Sequence, residues 1–142
     1  DHTITSLDLY PTIVEMASAG LSQDHKVRGR SLLPLLKGEQ IVDWNDDYYG
    51  EYSMINYSSA YMRCYRTPSW KLVRDFLDPG RDELYHIALD PEENINLIND
   101  PNEEIQRIRA ELNTSILQHM KAINDPLLTA VPVEKDYYKK PH

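Results

Sequence analysis

The side chains able to do chemistry are few and scattered along the chain. Five histidines, His2, His25, His86, His119 and His142, share no H-x-x-x-H or HExxH spacing, so no zinc site is indicated. Asp43-Trp44-Asn45-Asp46-Asp47 places oxygen ligands at alternate positions, as the start of a calcium loop does. The pattern then fails, because Tyr48 stands where the sharp turn needs glycine and Met54 where a bidentate glutamate closes the site. What remains is a solvated acidic loop. Cys64, the single cysteine, excludes an internal disulfide and a cysteine-based zinc cluster. A nucleophilic role needs a neighbouring base or a lowered pKa; on an alternating strand face Cys64 reads as a small buried hydrophobe. There is no G-x-S-x-G elbow, and the five glycines form neither a G-x-G-x-x-G array nor a P-loop. Asn56-Tyr57-Ser58 and Asn113-Thr114-Ser115 match the glycosylation acceptor pattern, and both read as chance matches. An independent hydrolase has no nucleophile–base constellation to rest on.

Composition narrows the class. The 142 residues fit one domain with a modest core. A net charge of −8, crowded into Asp43 to Asp47 and Asp90 to Glu104, argues against nucleic acid, which needs a basic face. No apolar run is long enough to span a bilayer. No basic and apolar leader is visible, but the chain opens on Asp1 inside a patterned segment, which suggests a piece of something longer. The compartment therefore stays open.

The elements that position these residues follow from periodicity and turn chemistry. Leu9, Ile13 and Met16 with Ala17 recur at helical spacing. Pro11 requires that helix to begin close to Ser6–Asp8, and Gly20 reads as its stop. Residues 29–38 read as a docked helical turn or two ended by Gly38. Four extended runs follow: Tyr48 to Ser53, Ala60 to Arg66, Trp70 to Arg74 and Glu83 to Ile87. In the second, Ala60, Met62 and Cys64 share one face, and Tyr61, Arg63 and Tyr65 the other. Turns at Thr67-Pro68-Ser69, Asp78-Pro79-Gly80 and Asp90-Pro91 punctuate an antiparallel meander. Asp100-Pro101-Asn102-Glu103 then starts a helix, with Asp100 as its cap. Ile105, Ile108, Leu112, Ile116 and Ile123 mark its apolar face to about Asn124. The tail beyond Asp125 reads as extended or partly disordered. The fold class is α+β: a small antiparallel sheet of about four strands packed with a long C-terminal helix, preceded by an N-terminal helix.

Several of these blocks together resemble the C-terminal part of a type I sulfatase, of the alkaline-phosphatase-like superfamily. Residues 6–17, SLDLYPTIVEMA, are similar to that family's D-x-x-P-T helix. Residues 29–38 resemble its G-x-S-L-L-P-L-L-x-G segment. Tyr48 to Tyr52, with Glu51, matches a strand that usually carries a glutamate. Residues 66–73 look like R-T-x-x-x-K-L-I, and residues 83–97 like E-L-Y-D-L-x-x-D-P-x-E-x-x-N-L. The blocks keep the family's order from about residue 4 to 98. His86 departs from the usual aspartate, and Ser18 stands where the first helix usually has glycine.

The resemblance implies that 1–40 ends the catalytic domain, 41–125 forms a C-terminal subdomain and 126–142 is a tail. It implies a parent whose catalytic N-terminal domain is this chain's partner. There, a formylglycine made from the Cys or Ser of C/S-x-P-x-R attacks the sulfate ester beside a calcium ion. Cys64-Tyr65-Arg66-Thr67-Pro68 has those residue types in the wrong order, so no catalytic, cofactor or metal residue is carried over to this chain. The implied substrate of the parent is a sulfated carbohydrate or aryl sulfate. Loops of this part line the pocket in that picture, with Trp44, Asp46, Asp47, Asn56 and Tyr57 as candidates. The common sulfatase pattern implies a periplasmic or secreted parent. A stand-alone, non-catalytic binding module derived from such a domain is the alternative. Detached, the stripe of the first helix and Leu32, Leu33, Leu35 and Leu36 would expose an apolar patch that favours self-association.

Overall fold

A computed structural model of the chain describes residues 2–20, 27–55 and 59–130. It divides into two compact units, Asp1–Asp46 and Asp47–His142.

In the first unit a 3-10 turn at Ser6–Asp8 runs into helix α1, Leu9–Met16. Pro11 lies in its first turn, where no N–H is needed. Two side chains tie the following segment to this helix. The buried Asp8 carboxylate accepts from Thr5 N at 2.7 Å and from Arg30 N at 2.8 Å. Thr12 Oγ1 donates to Asp8 O at 2.5 Å and accepts from Leu32 N at 2.8 Å. The returning backbone comes so close that a Cβ at Gly29 would lie 2.0 Å from Leu7 O, so only glycine fits. α1 does not run to Gly20. Ser18 takes a left-handed φ of 52°, and Ser18 N and Ala19 N bond back to Glu15 O and Val14 O. That is a Schellman stop with serine, in place of the usual glycine, in the left-handed position. The short helix α2, Leu33–Leu36, ends in the same way at Gly38, φ 77°.

The second unit is a four-stranded antiparallel meander in the order β1 (Tyr48–Ile55), β2 (Ser59–Arg66), β3 (Lys71–Asp75), β4 (Glu83–Tyr85). Register puts Tyr49, Tyr65, Leu72 and Leu84 in one cross-strand row, with Glu51, Arg63 and Arg74 in the next. This face is covered by helix α3, Glu103–Ala122, through Leu112, Ile116 and Met120. The Arg63–Tyr65 face of β2 is therefore the buried one. Three expectations change here. β4 stops at Tyr85, because Leu89 N and Asp90 N turn back to His86 O. β1 runs on to Ile55, beyond the expected end at Ser53. Asn102, not Asp100, caps α3: its side chain accepts from Glu104 N and Ile105 N, while Asp100 accepts from Asn102 N and holds Pro101 outside the helix.

The last turn of α3 delivers the interaction that locks the unit. Asn124 takes φ 54°, Asn124 N and Asp125 N bond to Lys121 O and Met120 O, and the helix stops. Met120, one turn earlier than expected, completes the apolar seam, while Ile123 becomes the cap. Asp125 then faces β2, where its carboxylate meets Arg63 Nε at 2.6 Å and Nη2 at 3.2 Å. The side chains are 1% and 5% exposed, so the pair is dry. Asp125 also accepts from Leu127 N and starts the 3-10 turn Pro126–Leu128, so the chain is not extended there. Residues from 131 onward lie outside those described.

Removing one partner of a dry, bidentate pair leaves the other charge buried and alone, which costs roughly 3–5 kcal/mol. Asp125→Ala should lose about that much in a urea titration. Burial alone would raise the Asp125 carboxyl, but the Arg63 guanidinium and Leu127 N hold it below its ordinary 3.8. Its contribution is therefore complete above pH 4 and is lost as pH falls through the lower folded value. Acid titration of the Asp125→Asn variant should show a correspondingly smaller loss of stability below pH 4.

Candidate functional site

Of the five side chains singled out for the pocket, Trp44 and Asp46 are brought together in the first unit. Trp44 Nε1 donates to Thr3 O at 3.1 Å, which anchors the indole to the N-terminal segment. The Arg30 guanidinium lies over the same ring, 4.1 Å from its centroid, and Arg30 Nη2 donates to Asn45 O at 2.9 Å. The His2 ring stands 5.8 Å from Trp44, with Nδ1 3.4 Å from the Asp46 carboxylate. Thr3 N donates to Asp46 Oδ1 at 2.6 Å, and this bond chiefly holds the Asp46 carboxyl below its usual range. The result is a half-exposed indole flanked by a cation and an imidazole, beside a carboxylate that stays ionised. Such a cluster suits a polar ring with an anionic substituent: the indole packs against C–H groups and Arg30 meets the charge. His2 and Arg30 were not singled out from sequence. Arg30 is visible only once the Asp8 clamp brings residue 30 back past the N-terminus.

Asp47 belongs to the second unit and does a different job. It accepts from Tyr65 Oη at 2.6 Å. The His119 ring lies 4.9 Å from Tyr49, stacked, and 5.4 Å from Tyr65. Burial first, then the Asp47 carboxylate that holds the phenol proton, pushes Tyr65 up to about 12. Burial, helped by the charge on Glu51, does the same to Tyr49, also to about 12. Asn56 and Tyr57 lie outside the described residues.

The other chemical suspects fall into structural places. Cys64 lies on the sheet face away from α3, beside Tyr48, Tyr52, Met62 and Val73, and burial pushes its thiol up, away from a thiolate. His86 packs against Trp70 at 4.2 Å. Asn113 Oδ1, in the second glycosylation-like triplet, accepts from Arg74 Nη1 inside α3. Cys64 does not fit a formylglycine precursor, and the pair Asp46 and Asp47 does not form a calcium ligand set. Cys64 has no proline two places on, and Asp46 and Asp47 are committed to Thr3 and Tyr65 in separate units. Among the described residues no three His, Cys, Asp or Glu side chains gather as a metal site.

The meander under one helix, reached through a D-x-x-P-T helix, is an arrangement shared with known proteins. The family model for N-sulphoglucosamine sulphohydrolase, C-terminal, matches residues 1–122. The chain is 29% identical to the Delta 4,5-hexuronate-2-O-sulfatase of Bacteroides thetaiotaomicron, over 98% of this chain and 26% of that protein. A solved sulfatase-family structure from Bacteroides thetaiotaomicron VPI-5482 superimposes with a TM-score of 0.78 at 28% identity, over 92% of this chain and 28% of its own. A second structure, in complex with its substrate D-glucosamine-2-N,6-O-disulfate, gives 0.71 at 26% identity, over 87% and 25%. The phosphonate monoester hydrolase of Silicibacter pomeroyi shares the fold, with a TM-score of 0.71 at 23% identity, over 91% of this chain and 27% of its own. The class is thus the C-terminal part of the sulfatases of the alkaline-phosphatase-like fold. The chain belongs to the N-sulphoglucosamine sulphohydrolase C-terminal family. It spans about a quarter of the length of the curated relative it matches.

A spectrophotometric titration at 295 nm checks the geometry of the second unit. Tyr49 and Tyr65 should ionise near pH 12, well after exposed tyrosines with ordinary values near 10. Asp47→Asn should bring Tyr65 down and leave Tyr49 where it is.

Proposed function

We propose that this chain is the C-terminal part of a sulfuric ester hydrolase, completing the parent's fold and shaping its substrate pocket while the reaction runs elsewhere. The observation that carries the reading is the surface of the first unit. Leu9, Ile13 and Met16 on α1 are 54%, 64% and 62% exposed, and Leu36 is 68% exposed. A helix whose apolar stripe faces outward is a helix made to be covered. The rest of the parent supplies that cover, so 1–40 acts as the end of the catalytic domain, 41–125 as the C-terminal subdomain and 126–142 as its tail. Leu32, by contrast, is buried within the unit beside Thr12 and contributes nothing to the patch. Without its cover the stripe favours self-association.

In this reading formylglycine and calcium reside in the catalytic domain and supply the nucleophile and the charge stabilisation there. The residues of this chain bind and orient. The Trp44–Arg30–Asp46 cluster of the first unit is the part that meets a sulfated carbohydrate or aryl sulfate; Asp47, Asn56 and Tyr57 are each proposed as further contacts in the parent.

The reading is tested first in the reading frame. A C/S-x-P-x-R motif in frame some hundreds of residues upstream of Asp1 supports it, and a start codon immediately upstream contradicts it. In the full-length parent, Trp44→Ala and Tyr57→Ala should each lower kcat/KM on the true substrate by about tenfold, or 1.4 kcal/mol. Unchanged kcat/KM in both removes these residues from the pocket.

A further inference from the structure

A groove of about 280 Å3 between the end of β3 and one side of α3 is lined by Arg74, Gln106, Arg109, Ala110 and Asn113. Each side-chain acceptor already faces a guanidinium donor. Gln106 Oε1 accepts from Arg109 Nη1 at 3.4 Å, and Asn113 Oδ1 accepts from Arg74 Nη1. A guanidinium only donates, so these contacts fix which way both carboxamides point and leave their NH2 groups for other partners. Gln106 Nε2 uses its NH2 on Asp100 O at 2.5 Å. The Asn113 Nδ2 group and the remaining guanidinium hydrogens make no bond to a described residue. The groove therefore offers donors.

Charge points the same way. Arg74 is balanced by Asp82, 2.7 Å from its Nε. Arg109 forms no ion pair with a described residue. It reaches only neutral acceptors, Ile98 O and Gln106 Oε1, both at 3.4 Å. A half-buried cation with long, neutral contacts is electrostatically unanswered, and this one sits in a chain of net charge −8. A ligand that answers donors and charge together accepts hydrogen bonds only and is negative. Sulfate oxygens have that character, and charge-assisted bonds to guanidinium are the strong kind.

We propose that this groove binds the sulfate group of a sulfated sugar, with Arg109 as its charge partner and Asn113 Nδ2 and Arg74 as further donors. The preference for an oxyanion rests on the groove alone; that a sugar carries it rests on the function proposed above. The test is an amide-shift NMR titration of the 142-residue chain with N-acetylglucosamine 6-sulfate, unsulfated N-acetylglucosamine and inorganic sulfate. The sulfated sugar and inorganic sulfate should give saturable shifts around residues 74 and 106–113, and the unsulfated sugar none. Arg109→Gln should weaken binding at least about tenfold with the melting temperature retained. Asn113→Asp, which keeps the acceptor for Arg74 and replaces the NH2 donors by charge, should do the same. Equal response to both sugars, or unchanged affinity in both variants, overturns the proposal. Turnover by the full-length parent is scored separately. A parent that hydrolyses sulfate esters while the groove ignores sulfated sugar loses this inference and keeps its function. Sulfate-selective binding without turnover sinks the function and supports the groove.

Discussion

The second unit depends on one dry charge pair. Arg63 lies in β2, second in the strand order, on the face that α3 covers, and an unpaired guanidinium there would undo the packing around it. Asp125 pairs with it, but only because α3 stops where it does. Asn124 in the left-handed region ends the helix, and the next residue points at the sheet. Length of helix, type of stop and identity of the residue after the stop are thus one constraint. Met120, Ile116 and Leu112 reach Leu72, Leu84 and Tyr65 in the same register that brings Asp125 to Arg63.

The motif residues that mark the family turn out to be fasteners. Asp8 and Thr12 hold the backbone of Arg30 and Leu32, and Gly29 permits the approach. Lys71 pairs with Glu93 at 2.6 Å across the β4 side of the sheet. Asp90 closes its own turn by accepting from Ile95 N, and Asn96 Oδ1 accepts from Leu84 N and Ile98 N. That last contact, with Leu97 N on Leu84 O, occupies the outer edge of β4 and blocks further strand pairing. A signature made of such residues specifies architecture.

Much of the architecture was legible in the residues. Alternation and three proline-marked turns located the meander, and helical spacing located α1 and α3, because both signals are local. What was misplaced was decided by contacts over longer range or by stop chemistry. Ser18 ended α1 where only a glycine would have announced it, and Asn102 displaced Asp100 as cap because Asp100 was engaged in its own turn. The buried face of β2 was not readable, since a face carrying an arginine looks solvated until Asp125, 62 positions away, is brought to it. The same limit applies to the candidate site. Trp44 and Asp46 stood out by type, whereas Arg30 and His2 join them only through the fold. Asp47, adjacent in sequence, serves Tyr65 in the other unit.

Under the proposed function, the outward apolar stripe of α1 is the surface that the rest of a parent enzyme covers. Steady-state sulfate release from sulfated sugar, compared between this 142-residue chain and its full-length parent, tests that account most directly. The account predicts release by the parent and none by the chain alone. Turnover by the isolated chain would contradict it.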